Sequence, residues 1–314
     1  MSKTVVFGGD GFIGRHLVTR LAEADSNNQI FVFDRFRSLQ TGEKHPFEQH
    51  SNVHIITGDF FNRDDVSNVL KGAKYVFHLI STTNPAASNN DPFIDIDTNI
   101  RSSVELFQLC VDAGVSKVIF LSSGGTVYGD VNSNKIDELS PPQPLSPYGI
   151  GKLTIEHYLR YFKHTHNLDY IVYRVANPYG PGQSIYGKQG VIPIFMHKYI
   201  TKEPITIYGD GSMSRDYIYI DDLVSMVVKS YNKSAKHGVY NIGSGSGSDI
   251  NQLISAIEDC VGYTVDKNHI ETPSTYIQKS VLDINRFINE FNVKPEVGLQ
   301  DGIRRTWDYV KKIK

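Results

Sequence analysis

The chain has 314 residues, of which 40% are hydrophobic and 21% charged, and a formal net charge of -2 at pH 7. That balance excludes a disordered chain and gives no electrostatic footprint for nucleic acid or an anionic membrane. Cys110 and Cys260 are the only cysteines; both fall in apolar helical patterns, which predicts free thiols in a reducing, cytoplasmic setting rather than a disulfide framework.

The N-terminal MSKTVVFGG enters a strand without the apolar stretch of a signal peptide, and no apolar run is long enough to span a bilayer. Short apolar runs then alternate with helical periodicity. Strands are expected at 4–8, 30–34, 54–57, 75–79, 118–122 and 170–174, and helices at Phe12–Ala24, Arg63–Leu70, 93–113 and 148–166. Buried strands alternating with helices predict an α/β fold, a doubly wound parallel sheet of the Rossmann kind. After Asn177 the texture changes to PYGPGQSIYGKQG, the expected entry to a second, smaller α/β region, while residues 215–233 and 239–242 are expected to return to the first sheet. The run GSGSGS at 243–248 lacks the GK[ST] ending of a phosphate loop, and Asp249 stands ready to cap a following helix, so a strand-to-helix turn is predicted. The 11 histidines show no metal-ligand spacing such as HExxH, and no metal is expected.

GGDGFIG at residues 8–14 follows the first strand and opens the first helix. In such a turn Gly8 permits the tight bend, Gly11 lets backbone approach a pyrophosphate, and Gly14 lets helix pack on strand. Phe12 and Ile13 lie between them, where the helix presents its free amides. The next strand ends at Asp34, an acid placed to accept hydrogen bonds from an adenosine ribose and to repel a 2′-phosphate. The motif predicts NAD as cofactor; the adjacent Arg35 softens the repulsion without reversing the preference. The organisation expected is therefore an NAD-binding domain over 1–176, joined by about 216–243, and a substrate region made of 177–215 and 244–314.

The stretch SPYGIGK at 146–152 puts Tyr148 and Lys152 four apart on one helical face and accepts Gly149 and Gly151 inside the helix. Upstream, FLSSGGTVYG (120–129) delivers Ser122, Ser123 and Thr126 to the carboxyl edge of the sheet, where ligands bind in open α/β folds. An ammonium beside a phenol lowers its pKa, so Tyr148 can take a proton from a sugar hydroxyl while Lys152 serves both the phenol and a nicotinamide ribose.

With these motifs in this order, the chain resembles the extended short-chain dehydrogenase/reductase family over essentially its whole length, and within it nucleotide-sugar epimerases of the UDP-galactose 4-epimerase type. The resemblance implies that Asp59 and Phe60 of TGDF contact the adenine, and that Leu79 and Ser81 of HLIS and Asn99 of DTNI line the dinucleotide. It further implies that Asn177 and Arg215 meet the substrate diphosphate, and that helices 93–113 and 148–166 pair in a homodimer. Two departures stand out. Gly124 occupies the position where such epimerases often carry a catalytic Ser or Thr, which nominates Ser123, with Thr126 as the substitute. An arginine expected before LD is missing from TPSTYIQKSVLD (272–283), where Tyr276, Gln278 or Lys279 could compensate.

Gly125 and Thr126 stand where related dehydratases and decarboxylases carry acids, so the extra acid–base machinery of those reactions is missing. What remains is a 4-epimerase of a nucleotide sugar, with NAD oxidising C4 transiently. The alternatives are an NAD(P)H-dependent reductase of a nucleotide-linked 4-keto-6-deoxy sugar and, remotely, a non-catalytic NAD(P)-sensing protein.

Overall fold

Val5, Val6 and Phe7 form one end of the first strand, and their side chains divide between two cores. Val6 joins one apolar cluster, while Val5 and Phe7 join the other. Alternate side chains of a strand point to opposite faces, so this strand is covered on both sides, as parallel sheets require. A computed structural model describes residues 2–36, 45, 47–131, 133–186, 190–272 and 277–312.

In chain order the large sheet takes β1 (Ser2–Phe7), β2 (Asn28–Asp34), β3 (Val53–Thr57), β4 (Tyr75–His78), β5 (Lys117–Ser123) and β6 (Asp169–Val175). The remaining strands are β7 (Asn177–Tyr179), β8 (Ile205–Tyr208), β9 (Ser214–Tyr219), β10 (Val239–Ile242), β11 (Gly247–Asp249), β12 (Lys267–Ile270) and β13 (Lys279–Ser280). Seven strands lie in the order β10-β6-β5-β4-β1-β2-β3, all parallel. The winding reverses between β1 and β4, and ligands of such sheets bind outside the carboxyl ends at that reversal.

The helices are α1 (Phe12–Ala24), α2 (Arg63–Leu70), α3 (Pro85–Asn90), α4 (Arg101–Asp112), α5 (Pro147–His166), α6 (Val191–Thr201), α7 (Ile220–Ser230), α8 (Ile250–Val261), α9 (Asn285–Phe291) and α10 (Leu299–Val310). Leu17 and Leu21 of α1 and Leu223 and Val227 of α7 cover one face of the sheet. Val66, Phe107 and Leu159 bring α2, α4 and α5 onto the other. Among the described residues no helix is long and apolar enough to cross a membrane.

Two expectations need correction in detail. The helix expected over 93–113 opens as a π-helical turn, Asp95–Ile100, before α4. Segment 215–242 does not return to the large sheet as a block. β10 is its edge strand beside β6, whereas β9 pairs with β7, β11 and β13 in a smaller sheet. Asp216 explains the position of β9. Its buried carboxylate accepts the amides of Ser244 and Gly245 and the Ser244 hydroxyl, tying β9 to the GSGSGS run. That run turns into β11, and Asp249 caps α8 in a reciprocal box with Gln252.

Candidate active site

The glycine loop is shaped by contacts that leave no room for side chains. A Cβ at Gly14 would lie 2.3 Å from the Gly8 carbonyl oxygen, and one at Gly9 would lie 2.2 Å from Val32 Cγ1. Gly8 has φ +85°, in the left-handed region that glycine tolerates. Gly11 differs, for its Cβ would meet only the Gly8 carbonyl, at 3.3 Å. Gly11 also forms the N-cap of α1 and offers no side chain to cap the amides around Phe12 and Ile13. A bare helix N-terminus of this kind fits a pyrophosphate.

Asp34 ends β2 beside the loop, and its carboxylate accepts the Asp10 amide at 3.1 Å and the Arg35 amide at 2.7 Å. The loop carries a second acid that the motif did not single out. Asp10 is buried and pairs with Arg15 at 2.8 Å and with His45 at 3.5 Å. Asp59 accepts the Phe61 amide, and the Phe60 ring packs 5.6 Å from Phe7 and 5.5 Å from His78. The Leu79 amide extends β4 by donating to the Phe7 carbonyl. Asn99 spends its amide internally, accepting from Thr82 and donating to Thr83 and Asp95, and so fixes the segment that follows Ser81.

Tyr148 and Lys152 stand on the first turns of α5, which Ser146 caps by accepting the Gly149 amide. The opening of α5 docks on the 124–126 loop, because a Cβ at Gly149 would lie 2.7 Å from the Thr126 carbonyl oxygen. Lys152 is buried; its Nζ donates to the Leu121 carbonyl at 3.2 Å, lies 4.8 Å from the Phe120 ring centre and 5.7 Å from that of Tyr148. Burial lowers the Lys152 pKa to about 8, against the pull of Asp95 and Glu156, which favour the ammonium. Burial, reinforced by Asp95, pushes the Tyr148 phenol up to about 12, with the Ser81 hydroxyl opposing. His78, buried beneath Lys152, is held neutral with a pKa near 3, chiefly by burial and then by the lysine charge.

The three hydroxyls of the 122–126 stretch face different surroundings. Ser122 donates to Glu156 at 2.5 Å, and Glu156 takes a forked pair of bonds from Arg174, the shorter at 2.6 Å. Ser123 ends β5 with a hydroxyl that makes no hydrogen bond to a described residue. Thr126 Oγ1 is buried and meets no hydrogen-bond partner among the described residues. Gly124 is glycine for packing reasons, since a Cβ would lie 2.5 Å from Leu282 Cδ1 and 3.1 Å from the Arg174 carbonyl. A serine restored there would collide with a buried leucine, so Gly124 is no simple vacancy for the missing hydroxyl.

Asn177 donates to the Asp216 carbonyl at 2.8 Å, and its Oδ1 lies 3.7 Å from where a Gly125 Cβ would be. Arg215 does not pair with Asp216 or Asp221. Its guanidinium donates to the carbonyls of Ser214 and Ile277, while Asp221 faces His16. Gln278 donates to Ser212 and Lys279 to Asn134; Tyr276 lies outside the described residues. The site thus brings Ser81, Asn99, Ser122, Ser123, Tyr148 and Lys152 to the carboxyl edge around the reversal. The buried charges Asp95, Glu156 and Arg174 were missed. Glu156 had a legible signal, since it continues the four-residue stride of Tyr148 and Lys152 on α5.

The NAD dependent epimerase/dehydratase family model matches residues 4–243. The chain belongs to that family. It is 32% identical to the UDP-glucose 4-epimerase of Mycolicibacterium smegmatis over 312 residues, covering 98% of each chain. It is also 34% identical to a dTDP-4-dehydro-6-deoxyglucose reductase of Escherichia coli over 302 residues, covering 95% of this chain and 94% of the relative. Among solved structures, the UDP-glucose 4-epimerase of Thermotoga maritima with UDP-glucose superposes with a TM-score of 0.91 at 33% identity, over 99% of both chains.

Proposed function

We propose that the protein inverts C4 of a nucleotide-diphosphate sugar, a UDP-hexose or UDP-N-acetylhexosamine, with NAD as resident cofactor. The observation that carries this reading is the buried face of α5, where Tyr148 and Lys152 meet the ends of β4 and β5 next to the glycine loop. Gly8, Gly11, Phe12, Ile13 and Gly14 would hold the pyrophosphate, Asp34 the adenosine ribose, and Asp59 and Phe60 the adenine. Leu79, Ser81, Asn99 and Ser122 would line the nicotinamide half, with Tyr148 and Lys152 on its ribose. NAD held there would supply a reversible two-electron hydride acceptor at C4.

The chain's own residues handle the proton and the sugar. Tyr148 removes the proton of the C4 hydroxyl and returns it after the 4-keto ring has presented its other face. Ser123 donates to the C4 oxygen, and the Lys152 ammonium favours the phenolate form of Tyr148. Asn177 and Arg215 grip the diphosphate within the region 177–215 and 244–314. The exposed apolar side chains Phe93, Ile96, Ile150, Tyr158 and Tyr161 support pairing of two copies as a homodimer. The free Cys110 and Cys260 suit a cytoplasmic enzyme.

A second reading, reduction of a nucleotide-linked 4-keto-6-deoxy sugar, is favoured by the reductase relative. Identification of the cofactor released from purified protein, followed by an NMR screen of nucleotide sugars for C4 inversion, separates the two. The epimerase carries tightly held NAD and needs none added. Stoichiometric consumption of NADPH with a 4-keto sugar nucleotide, and no inversion, would select the reductase. Cofactor binding with no turnover at all would select the sensing protein.

A further inference from the structure

Asp95 is a buried acid, 2% exposed, with one oxygen unaccounted for. Its Oδ1 accepts from Thr83 Oγ1 at 2.7 Å and from Asn99 Nδ2 at 2.8 Å. Its Oδ2 is equally enclosed and meets no donor among the described residues. A buried carboxylate oxygen without a donor is unfavourable, so its retention calls for a reason in what it faces. Asp95 opens the π-helical turn Asp95–Ile100, a geometry that recurs at functional sites, and that turn packs against α5. An ideal Cβ on Gly151 would lie 3.6 Å from Asp95 Cβ and Oδ1. Gly151 lies three residues after Tyr148 and next to Lys152 on α5, so its missing side chain lets the carboxylate approach the turn that carries both.

We propose that Asp95 is a positioning residue of the Tyr148–Lys152 pair, whose negative charge holds Lys152 as an ammonium and sets the pH at which the Tyr148 phenol ionises. Of the other groups around the pair, Glu156 also favours the Lys152 ammonium, but it shares its charge with a counter-ion. Glu156, one turn along α5, is committed to Arg174 of β6 and Ser122 of β5. His78 of β4 is neutral, and Ser81 and Ser88 offer only hydroxyls. Tyr148 and Lys152 both respond to Asp95 in the direction the geometry implies, the phenol being harder to ionise and the ammonium easier to keep. Removing the charge therefore moves both titrations to lower pH.

The proposal rests on Tyr148 and Lys152 being the working pair, but its test needs neither sugar nor turnover. Lysine labelled with ¹³C at the ε-carbon is titrated by NMR in the whole protein, with Lys152→Met assigning the resonance. Asp95→Asn is expected to lower the Lys152 midpoint by about one pH unit, roughly tenfold in the ionisation constant. The ζ-carbon of labelled tyrosine, assigned with Tyr148→Phe, moves in the same direction. Thr83→Val removes a hydrogen bond and keeps the charge, so it leaves both midpoints in place. Where Asp95→Asn does not fold, Asp95→Ser makes the same removal of charge. Unmoved midpoints in a folded Asp95 variant, or equal displacement by Thr83→Val, overturn the proposal. A protein that inverts no nucleotide sugar would overturn the functional reading and leave this result standing.

Discussion

The glycine loop before α1 and the opening of α5 both dispense with side chains, but they do so for different neighbours. At the loop the crowding is local. Gly14 abuts Gly8 and Gly9 inside the motif itself, although Gly9 also abuts Val32 and Gly8 abuts Ile80. At α5 the neighbours all come from outside the SPYGIGK stretch. Gly149 receives the carbonyl of Thr126, and Gly151 faces the carboxylate of Asp95. A local crowd can be written as a short spacing rule. A remote one depends on which segments the sheet brings together, and it is there that the charged groups of the site gather.

The sharpest test of that contrast is chemical. Tyr148→Phe keeps the ring and its packing but removes the proton-transfer group, so turnover should fall by about 10²–10⁴ while the fold persists. C4 inversion followed by NMR, with circular dichroism as the control, measures it. Near-native turnover would remove α5 from the chemistry altogether.

Glu156→Gln tests the remote side next. It leaves Arg174 buried without its counter-charge, and breaking a buried pair in this way costs about 3–5 kcal/mol of stability. Chemical denaturation should show the loss. Because Glu156 also takes the Ser122 hydroxyl, a stability change below about 1 kcal/mol would mean that the network is replaceable by water and does not hold the end of β5.

How far the molecule was legible follows the same division. The parallel sheet was visible because alternating apolar runs and helical periodicity are local properties of the chain. The role of Gly14 was visible because its contacts, with Gly8 and Gly9, lie within the motif. The π-turn at Asp95 was not, since its spacing looks like ordinary helix and only the backbone of the folded chain, packed against α5, distinguishes it. Gly124 looked like a missing hydroxyl until Leu282, 158 positions further on, was found against it. Nor did the sequence around Arg215 signal its bond to the Ile277 carbonyl, 62 positions further on. In each case the deciding neighbour is distant in sequence.

The hydroxyls at 123 and 126 give a smaller effect. Ser123 has an uncommitted hydroxyl at the end of β5, whereas that of Thr126 is enclosed and meets no partner among the described residues. Ser123→Ala should lower kcat on the order of 10² with little change in KM, the pattern of a contact made mainly in the transition state. Thr126→Val should act more weakly, and on KM. If Thr126→Val proves the more damaging, the two residues exchange roles, and the enclosed hydroxyl is the one that opens towards substrate.

The smallest effects bear most directly on why α5 opens with glycines. Gly149→Ala would place a Cβ 2.7 Å from the Thr126 carbonyl and 3.0 Å from Pro144 Cβ. Neither neighbour is a flexible side-chain end, so overpacking should cost about 1–3 kcal/mol. Gly151→Ala would make only ordinary contacts, 3.6–3.9 Å from Asp95. In a helix interior alanine gains about 0.5–1 kcal/mol over glycine, so this variant should be neutral or more stable in denaturant titration. The same variant fills the gap through which Asp95 faces Tyr148 and Lys152. A gain in stability at Gly151→Ala together with a displaced Lys152 midpoint would show a helix holding less than its full stability so that a charge can approach. A loss of stability as large as that of Gly149→Ala would instead make both glycines packing residues, and the contrast between them would fail.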